Sequence, residues 1–321
     1  MRVLVHQRCL FGLLVVLVVP SLTPAQTPIV DHHQHLFSPA NAAWSSTDST
    51  SRQPVTAADL IALLDSAGIR KALVLSVAYQ WGNPTRTVDN EYEKVKAEND
   101  WTSAQVAQYP DRLRAFCGVN PIKDYALEEI ARCSRDPHLR PGLKLHFGNS
   151  DVDVHDARQL AQLKRVFRAA NDNRMAIVVH MHASVNKKRP YGRAEAEIFL
   201  NELLPMAPDV PVQIAHFAGA GAFDDSTDHA IGVFADAISR HDTRTAHVYI
   251  DVSLSSRALA PDRRALIVSR IRQIGVDRLL FGSDAPFPGN GPREYWAAFR
   301  TLPLTARELQ TIATNVAPYM R

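Results

Sequence analysis

The chain is poor in cysteine. Three of its 321 residues are Cys, and one of them, Cys9, lies within the first ten positions. A small disulfide-stapled scaffold is therefore excluded, because such folds carry cysteine at far higher density. Long apolar runs are also missing. The one that stands out, Leu10–Val19, is half the roughly 20 residues that a membrane-spanning helix requires. Neither sign of charge dominates, with 36 Lys and Arg against 33 Asp and Glu. That balance gives no reason to expect a nucleic-acid or other polyanionic partner. There is no internal repeat, no low-complexity tract and no sign of a second domain.

What is present begins with the N-terminus. Arg2 and Arg8 precede the apolar run, and Pro20-Ser21-Leu22-Thr23-Pro24-Ala25-Gln26 follows it with small residues. A basic start, a short apolar middle and a small-residue exit read as a secretory signal peptide over residues 1–26. The rival is an uncleaved anchor. Cys9 precedes the apolar run, so it is badly placed to carry a lipid after cleavage. The expectation is an exported protein, periplasmic or secreted, with no stable membrane association once the peptide is removed and one domain over residues 27–321. Without Arg2 and Arg8 the chain has 34 basic residues against 33 acidic ones. Export would leave Cys117 and Cys133, one in an apolar strand candidate and one late in the following helix. A disulfide and two buried thiols are both open readings.

The rest of the chain, at 46% hydrophobic and 21% charged, has ordinary globular composition. It alternates short apolar runs with longer amphipathic ones. Strands are expected at Ile29–His33, Lys71–Val77, Leu113–Val119, Gly142–Phe147, Ala176–His182, Val210–His216, His247–Ser253 and Leu279–Ser283. Helices are expected at Ala57–Ala67, Asp89–Gln108, Tyr125–Arg135, Ala157–Asn171, Ala194–Leu204, Thr227–Arg240 and Pro261–Ile274, then at Pro292–Arg300 and Thr305–Thr314. Continuous Val/Ile/Leu runs suit strands buried on both faces, as in parallel sheets. Eight such β–α units predict an α/β fold, a (β/α)8 TIM barrel, with an open doubly wound sheet as the alternative. Ser38–Pro54, rich in Ser, Thr and Asn, is expected to be a long loop over the C-terminal face of the barrel.

Chemistry in such barrels sits at the C-terminal ends of strands. There the sequence places His33 and His35, spaced to share a strand face, then Lys144 and His146, then His180 and His182. Strand 6 ends in His216, strand 7 carries Asp251 and Ser253, and Asp284 follows strand 8. Each alone has a structural reading: a hydrogen-bonded histidine, an ion-paired lysine, a turn-building aspartate. Together they are costly to bury unless a metal or mutual pairing satisfies them, and imidazole is the commonest metal ligand. Asp31 lies two residues deeper than His33 and reads as a support for it. Trp44, Tyr79 and Trp81 read equally as an aromatic pocket wall or as packing residues that cover the barrel rim.

These motifs resemble the amidohydrolase superfamily, in the amidohydrolase-related branch that includes aminocarboxymuconate-semialdehyde decarboxylase and pyrone-dicarboxylate lactonase. The resemblance runs from about Ile29 to Ala317. It rests on Asp31-His32-His33-Gln34-His35, on Tyr109-Pro110-Asp111-Arg112-Leu113 leading to Val119-Asn120-Pro121, and on Gly142-Leu143-Lys144-Leu145-His146. Val179-His180, Ile214-Ala215-His216-Phe217-Ala218-Gly219 and Phe281-Gly282-Ser283-Asp284-Ala285-Pro286 complete it. It implies one divalent metal, most often Zn(2+), held by His33, His35, His180 and Asp284, with His216 acting on substrate or water. Two metals bridged by a carboxylated Lys144 are the alternative, and His182 competes with His180 as ligand. Lys144, His146, His182, Asp251 and Asp31 are then substrate contacts or supports.

Three functions follow. The first is a metal-dependent hydrolase that activates water to cleave an amide, ester or lactone of a small molecule, with His216 and Asp284 catalytic. The second is a metal-dependent decarboxylase of a small unsaturated or aromatic acid, in which Lys144, His146 and Arg86 bind carboxylate. The third, an exported binding protein, predicts tight binding without turnover and leaves Asp284 and His216 without a task. A homo-oligomer stays open.

Overall fold

The computed structural model describes residues 27–46, 51–183, 189–221, 223–254, 261–285 and 291–321. The expected signal peptide, residues 1–26, lies outside the described residues, as does Pro286. In chain order the elements are β1 Val30–Gln34, α1 Pro39–Ser45, α2 Ala57–Ala67, β2 Lys71–Leu75, α3 Glu91–Val106, β3 Leu113–Gly118, α4 Ala126–Cys133 and β4 Gly142–His146. They continue with α5 Phe147–Ser150, α6 Ala157–Asp172, β5 Ala176–His180, α7 Arg193–Ile198, β6 Val212–Ile214, α8 Asp225–Ser239, β7 Val248–Asp251, α9 Pro261–Ile274, β8 Leu279–Leu280, α10 Pro292–Phe299 and α11 Ala306–Thr314.

The eight strands are parallel and ordered β1 to β8. The seam between β8 and β1 is closed largely by the segment after β8. His32 N donates to Phe281 O at 2.8 Å, Asp284 N to His33 O at 2.9 Å and His35 N to Ala285 O at 3.1 Å. This is the (β/α)8 architecture expected from the alternating pattern, and it sets the C-terminal strand ends around one rim. Among the described residues no helix is long and apolar enough to cross a membrane.

Period-two alternation divides the apolar residues into two cores. Ala72, Val74, Leu143, Leu145, Ile177 and Val179 face outward and pack under the helices. Leu73, Leu75, Ala176 and Val178 face the barrel axis with Val30, Phe116 and Ala215. The floor is closed by the C-terminal residues Val316, Tyr319 and Met320. The same alternation carries the inward series upward: Gly142, Lys144, His146 on β4 and Ala176, Val178, His180 on β5. Polar chemistry thus begins where the axial apolar layer ends.

Three expectations change. Ser38–Pro54 is not all loop: Pro39 at the first helical position and a Ser38 cap, accepting from Asn41 N, form α1. The short helix lacks a Leu-type periodicity, which hid it. Strand 5 stops at His180, so the alternation that would align His182 with it does not extend that far. Strand 8 is only two residues long. Cys117 and Cys133 are joined in a disulfide that ties β3 to α4.

Candidate metal centre

His33 leaves β1 with its Nδ1 2.9 Å from Asp251 Oδ2. A carboxylate only accepts, so Nδ1 carries the proton and Nε2 is left with a lone pair. His35 is set in the same way by the Leu75 carbonyl, 2.7 Å from its Nδ1. Both Nε2 atoms converge on Asp284 Oδ1, at 3.6 Å from His33 and 3.3 Å from His35. Ligand atoms of these three residues lie within 4.8 Å of one another. His216 packs 4.6 Å from the His33 ring and 4.8 Å from the His180 ring. Its Nδ1 sits 2.9 Å from the Ser253 carbonyl.

The backbone around these groups is strained. Asp284 has φ of 55°, and His216, Phe217 and Ala218 all lie in the left-handed region. That conformation costs roughly 1–2 kcal/mol per non-glycine residue. It is held by His216 N donating to Asp251 Oδ1 at 2.8 Å, Gly219 N donating to His216 O at 2.8 Å, and the Tyr191 hydroxyl donating to Ala218 O. Strain that is over-determined by surrounding bonds is characteristic of functional sites.

Three carboxylates of the cluster are set in opposite directions. Burial works against the charge on Asp251. His33, His216 and the Ser253 hydroxyl outweigh it and hold Asp251 well below the usual carboxylate range. Asp284 is likewise held low, burial being overcome by the His35 bond and by His33 and His216. Asp31 goes the other way. Burial pushes it up to about 7, although Ser283, His33 N and Gln34 all donate to it. It ties β1 to the residue preceding Asp284, the support read from its position.

Lys144 is fully buried, with Nζ 3.4 Å from His33 Nε2. Burial drives its ammonium down to about 8 against the pull of Asp284 and Asp251. His146 stacks on His180 at 3.9 Å and takes a bond from Asn149 N at 3.1 Å. Burial, then the crowding of other basic side chains, keeps both imidazoles well below their usual range, hence neutral. Among the described residues, His180 Nε2 is buried with no hydrogen-bond partner. His182 does not join this group; its ring lies 4.0 Å from Tyr191.

A divalent cation fits this donor set on the structure's own terms. Two imidazole nitrogens and a carboxylate oxygen converge, each histidine is oriented through its other nitrogen, and His180 offers a buried nitrogen with nothing to bond. The cluster opens into a cavity of about 360 Å³. Tyr79, Trp44, Arg52 and Arg86 form part of its wall with Lys144 and His146. Trp81 stands behind Trp44 at 4.8 Å. Arg86 is fixed by a 2.8 Å bond to Trp44 O. Arg52 and Gln213 were not singled out from the sequence. Arg52 lies in a polar stretch that reads as loop. Gln213 could have been noticed as the polar member of the apolar run Val212-Gln213-Ile214.

A family model described as Amidohydrolase matches residues 30–315. Among curated proteins, none matches the sequence. Solved structures share the fold at low identity. The 2,6-dihydroxybenzoate decarboxylase from Rhizobium is 17% identical, with a TM-score of 0.62 over 90% of this chain and 97% of its own. A dihydroxybenzoic acid decarboxylase from Polaromonas sp. JS666, with bound manganese and an inhibitor, is 16% identical with a TM-score of 0.59, over 90% and 95%. A probable 2-pyrone-4,6-dicarboxylic acid hydrolase from Acinetobacter baumannii, with citric acid bound, is 18% identical with a TM-score of 0.57, over 89% and 96%.

Proposed function

The chain belongs to the amidohydrolase family, and from that premise we propose that it is a metal-dependent hydrolase of a small acidic molecule, cleaving an amide, ester or lactone bond. One observation carries the reading: His33, His35 and Asp284 converge on one point, while His180, whose buried Nε2 has no hydrogen-bond partner among the described residues, lines the same cavity. These four residues would hold one divalent ion. When bound, such an ion supplies Lewis acidity and lowers the pKa of a water from about 15.7 towards about 7. Zinc is the ion implied by resemblance, and manganese is the one found in the Polaromonas structure.

The chain's own residues do the rest. Asp284, kept ionised, accepts a proton at a carboxylate oxygen. His216, its Nδ1 held at the Ser253 carbonyl, presents Nε2 as a base or as a donor to developing oxyanion charge. Arg52, Arg86 and Lys144 bring positive charge to the cavity wall and orient an anionic substrate. Elemental analysis should find one equivalent of divalent metal. The His33→Ala, His35→Ala double variant should lose both metal and turnover; full activity in that metal-free protein would refute the reading.

A second reading, decarboxylation of a small unsaturated or aromatic acid, is favoured by the same basic wall and by the decarboxylases that share the fold. Candidate acids, lactones and esters incubated with the metal-loaded protein separate the two: hydrolysis gives ring-opened or cleaved product, decarboxylation releases carbon dioxide. Export is part of the proposal, supported by the order of residues in 1–26 and by the Cys117–Cys133 bond, which suits an oxidising compartment. The mature protein's mass should correspond to a start near residue 27, and retention of residues 1–26 would count against it.

A further inference from the structure

The floor of the barrel is wired to the metal centre. Asp251 can only accept, so the Gln213 side chain must turn its Nε2 towards it, and does so at 2.6 Å. The same nitrogen reaches His32 O at 3.2 Å. Gln213 Oε1 is thereby turned away from the site, and the Tyr319 hydroxyl donates to it. The direction of every bond in the chain is fixed: Tyr319 to Gln213, Gln213 to Asp251, and His33 Nδ1 and His216 N to the same carboxylate. Gln213 and Asp251 are wholly buried. No water is needed to complete the series.

Tyr319 is itself held in register. Its ring packs 5.0 Å from Phe116 and 6.5 Å from His32. His32 fixes the tail: Nδ1 bonds Phe281 O at 3.0 Å, so Nε2 is the acceptor that takes Ala317 N at 3.2 Å.

We propose that Tyr319 is a positioning residue for the metal centre, acting through Gln213 and Asp251 on His33 and His216. The inference rests on the metal reading above. Without the hydroxyl, Gln213 Oε1 loses its partner, the amide is no longer held against Asp251, and the carboxylate that orients His33 gains freedom. Losing a direct outer partner of a ligand typically weakens metal binding about 10- to 100-fold. Tyr319 stands two bonds beyond that partner, and about 3- to 10-fold is expected.

The experiment measures Zn2+ and Mn2+ affinity of the whole chain by competition with a chelator, alongside the melting temperature of the metal-free protein. Tyr319→Phe keeps the ring packing and should weaken binding by the stated factor. Gln213→Met should weaken it at least as much, and the double variant no more than Gln213→Met alone, because both act in one series. Met320→Ala, in the same floor but outside the chain of bonds, should lower the melting temperature and leave affinity unchanged. Wild-type affinity in Tyr319→Phe, or an equal loss of affinity in Met320→Ala, overturns the inference while the metal reading stands. No binding by the wild-type chain overturns both.

Discussion

Gly282 is a single atom away from disrupting the site. A Cβ built there would lie 2.8 Å from His33 Cβ and 3.5 Å from Ser253 Cβ. The nearer distance is shorter than real Cβ contacts allow, and neither neighbour is a flexible side-chain tip. Gly282→Ala should therefore displace His33 from Asp251 and Asp284 and weaken metal binding about tenfold or more. Far-UV circular dichroism should stay that of the wild type. Chelator competition checks it, and unchanged affinity would mean β1 relaxes away from the methyl without moving the imidazole. At this scale the sequence was informative where period two applied. Lys144, His146 and His180 continue inward series set by Gly142, Ala176 and Val178. It misled at His182, because the strand ends at His180 and no pleat remains to aim the later ring. The link between Gln213 and Tyr319 spans 106 positions and leaves no local trace in the sequence, beyond an amide in an apolar run.

Among the elements, α1 is short yet forms part of the cavity wall. It is seven residues long and carries Trp44 and Ser45 to the rim. Its start is held from α3: Ser38 Oγ donates to Glu98 Oε2 at 2.6 Å, and Ser38 N donates to Glu98 Oε1 at 3.2 Å. The same hydroxyl accepts from Asn41 N at 3.0 Å. Burial raises Glu98 above its ordinary value despite these bonds. Ser38→Ala removes a helix cap and strips one partner from a buried carboxyl, so it should destabilise the protein by about 1–3 kcal/mol. Because Trp44 rides on this helix and also fixes Arg86, KM should rise more than kcat falls. Denaturant titration and steady-state kinetics check the two parts. Several helices were legible from their own start signals, as in the boxes Thr56 to Asp59 and Thr305 to Glu308. The helix α1 was not, since Pro39-Ala40-Asn41-Ala42-Ala43-Trp44 has neither a stripe nor the length to show one.

Over the whole molecule, the candidate site lies on the seam where the barrel closes. The strand β8 is too short to close it, so β1 is joined to the opposite end of the sheet mainly by the bonds His32 to Phe281, Asp284 to His33 and His35 to Ala285. Asp31 adds its bonds to Ser283, 252 positions away. A cation held by His33, His35 and Asp284 would fasten the same seam. A metal present at 100 times its Kd should then add about 2.7 kcal/mol to stability, raising the melting temperature by several degrees, and EDTA should reverse the gain; a melting temperature indifferent to both would show that the ion binds folded and unfolded chains alike. The seam also sets an order in time. Its two sides are made at nearly opposite ends of synthesis, so a ribosome that has delivered seven strands has delivered three of the four proposed ligands. The donor pair His33 and His35 must wait for Asp284 to emerge. If the centre is built as proposed, a chain cut short before that point lacks a complete ligand set, and metal retention would report whether translation reached the last strand.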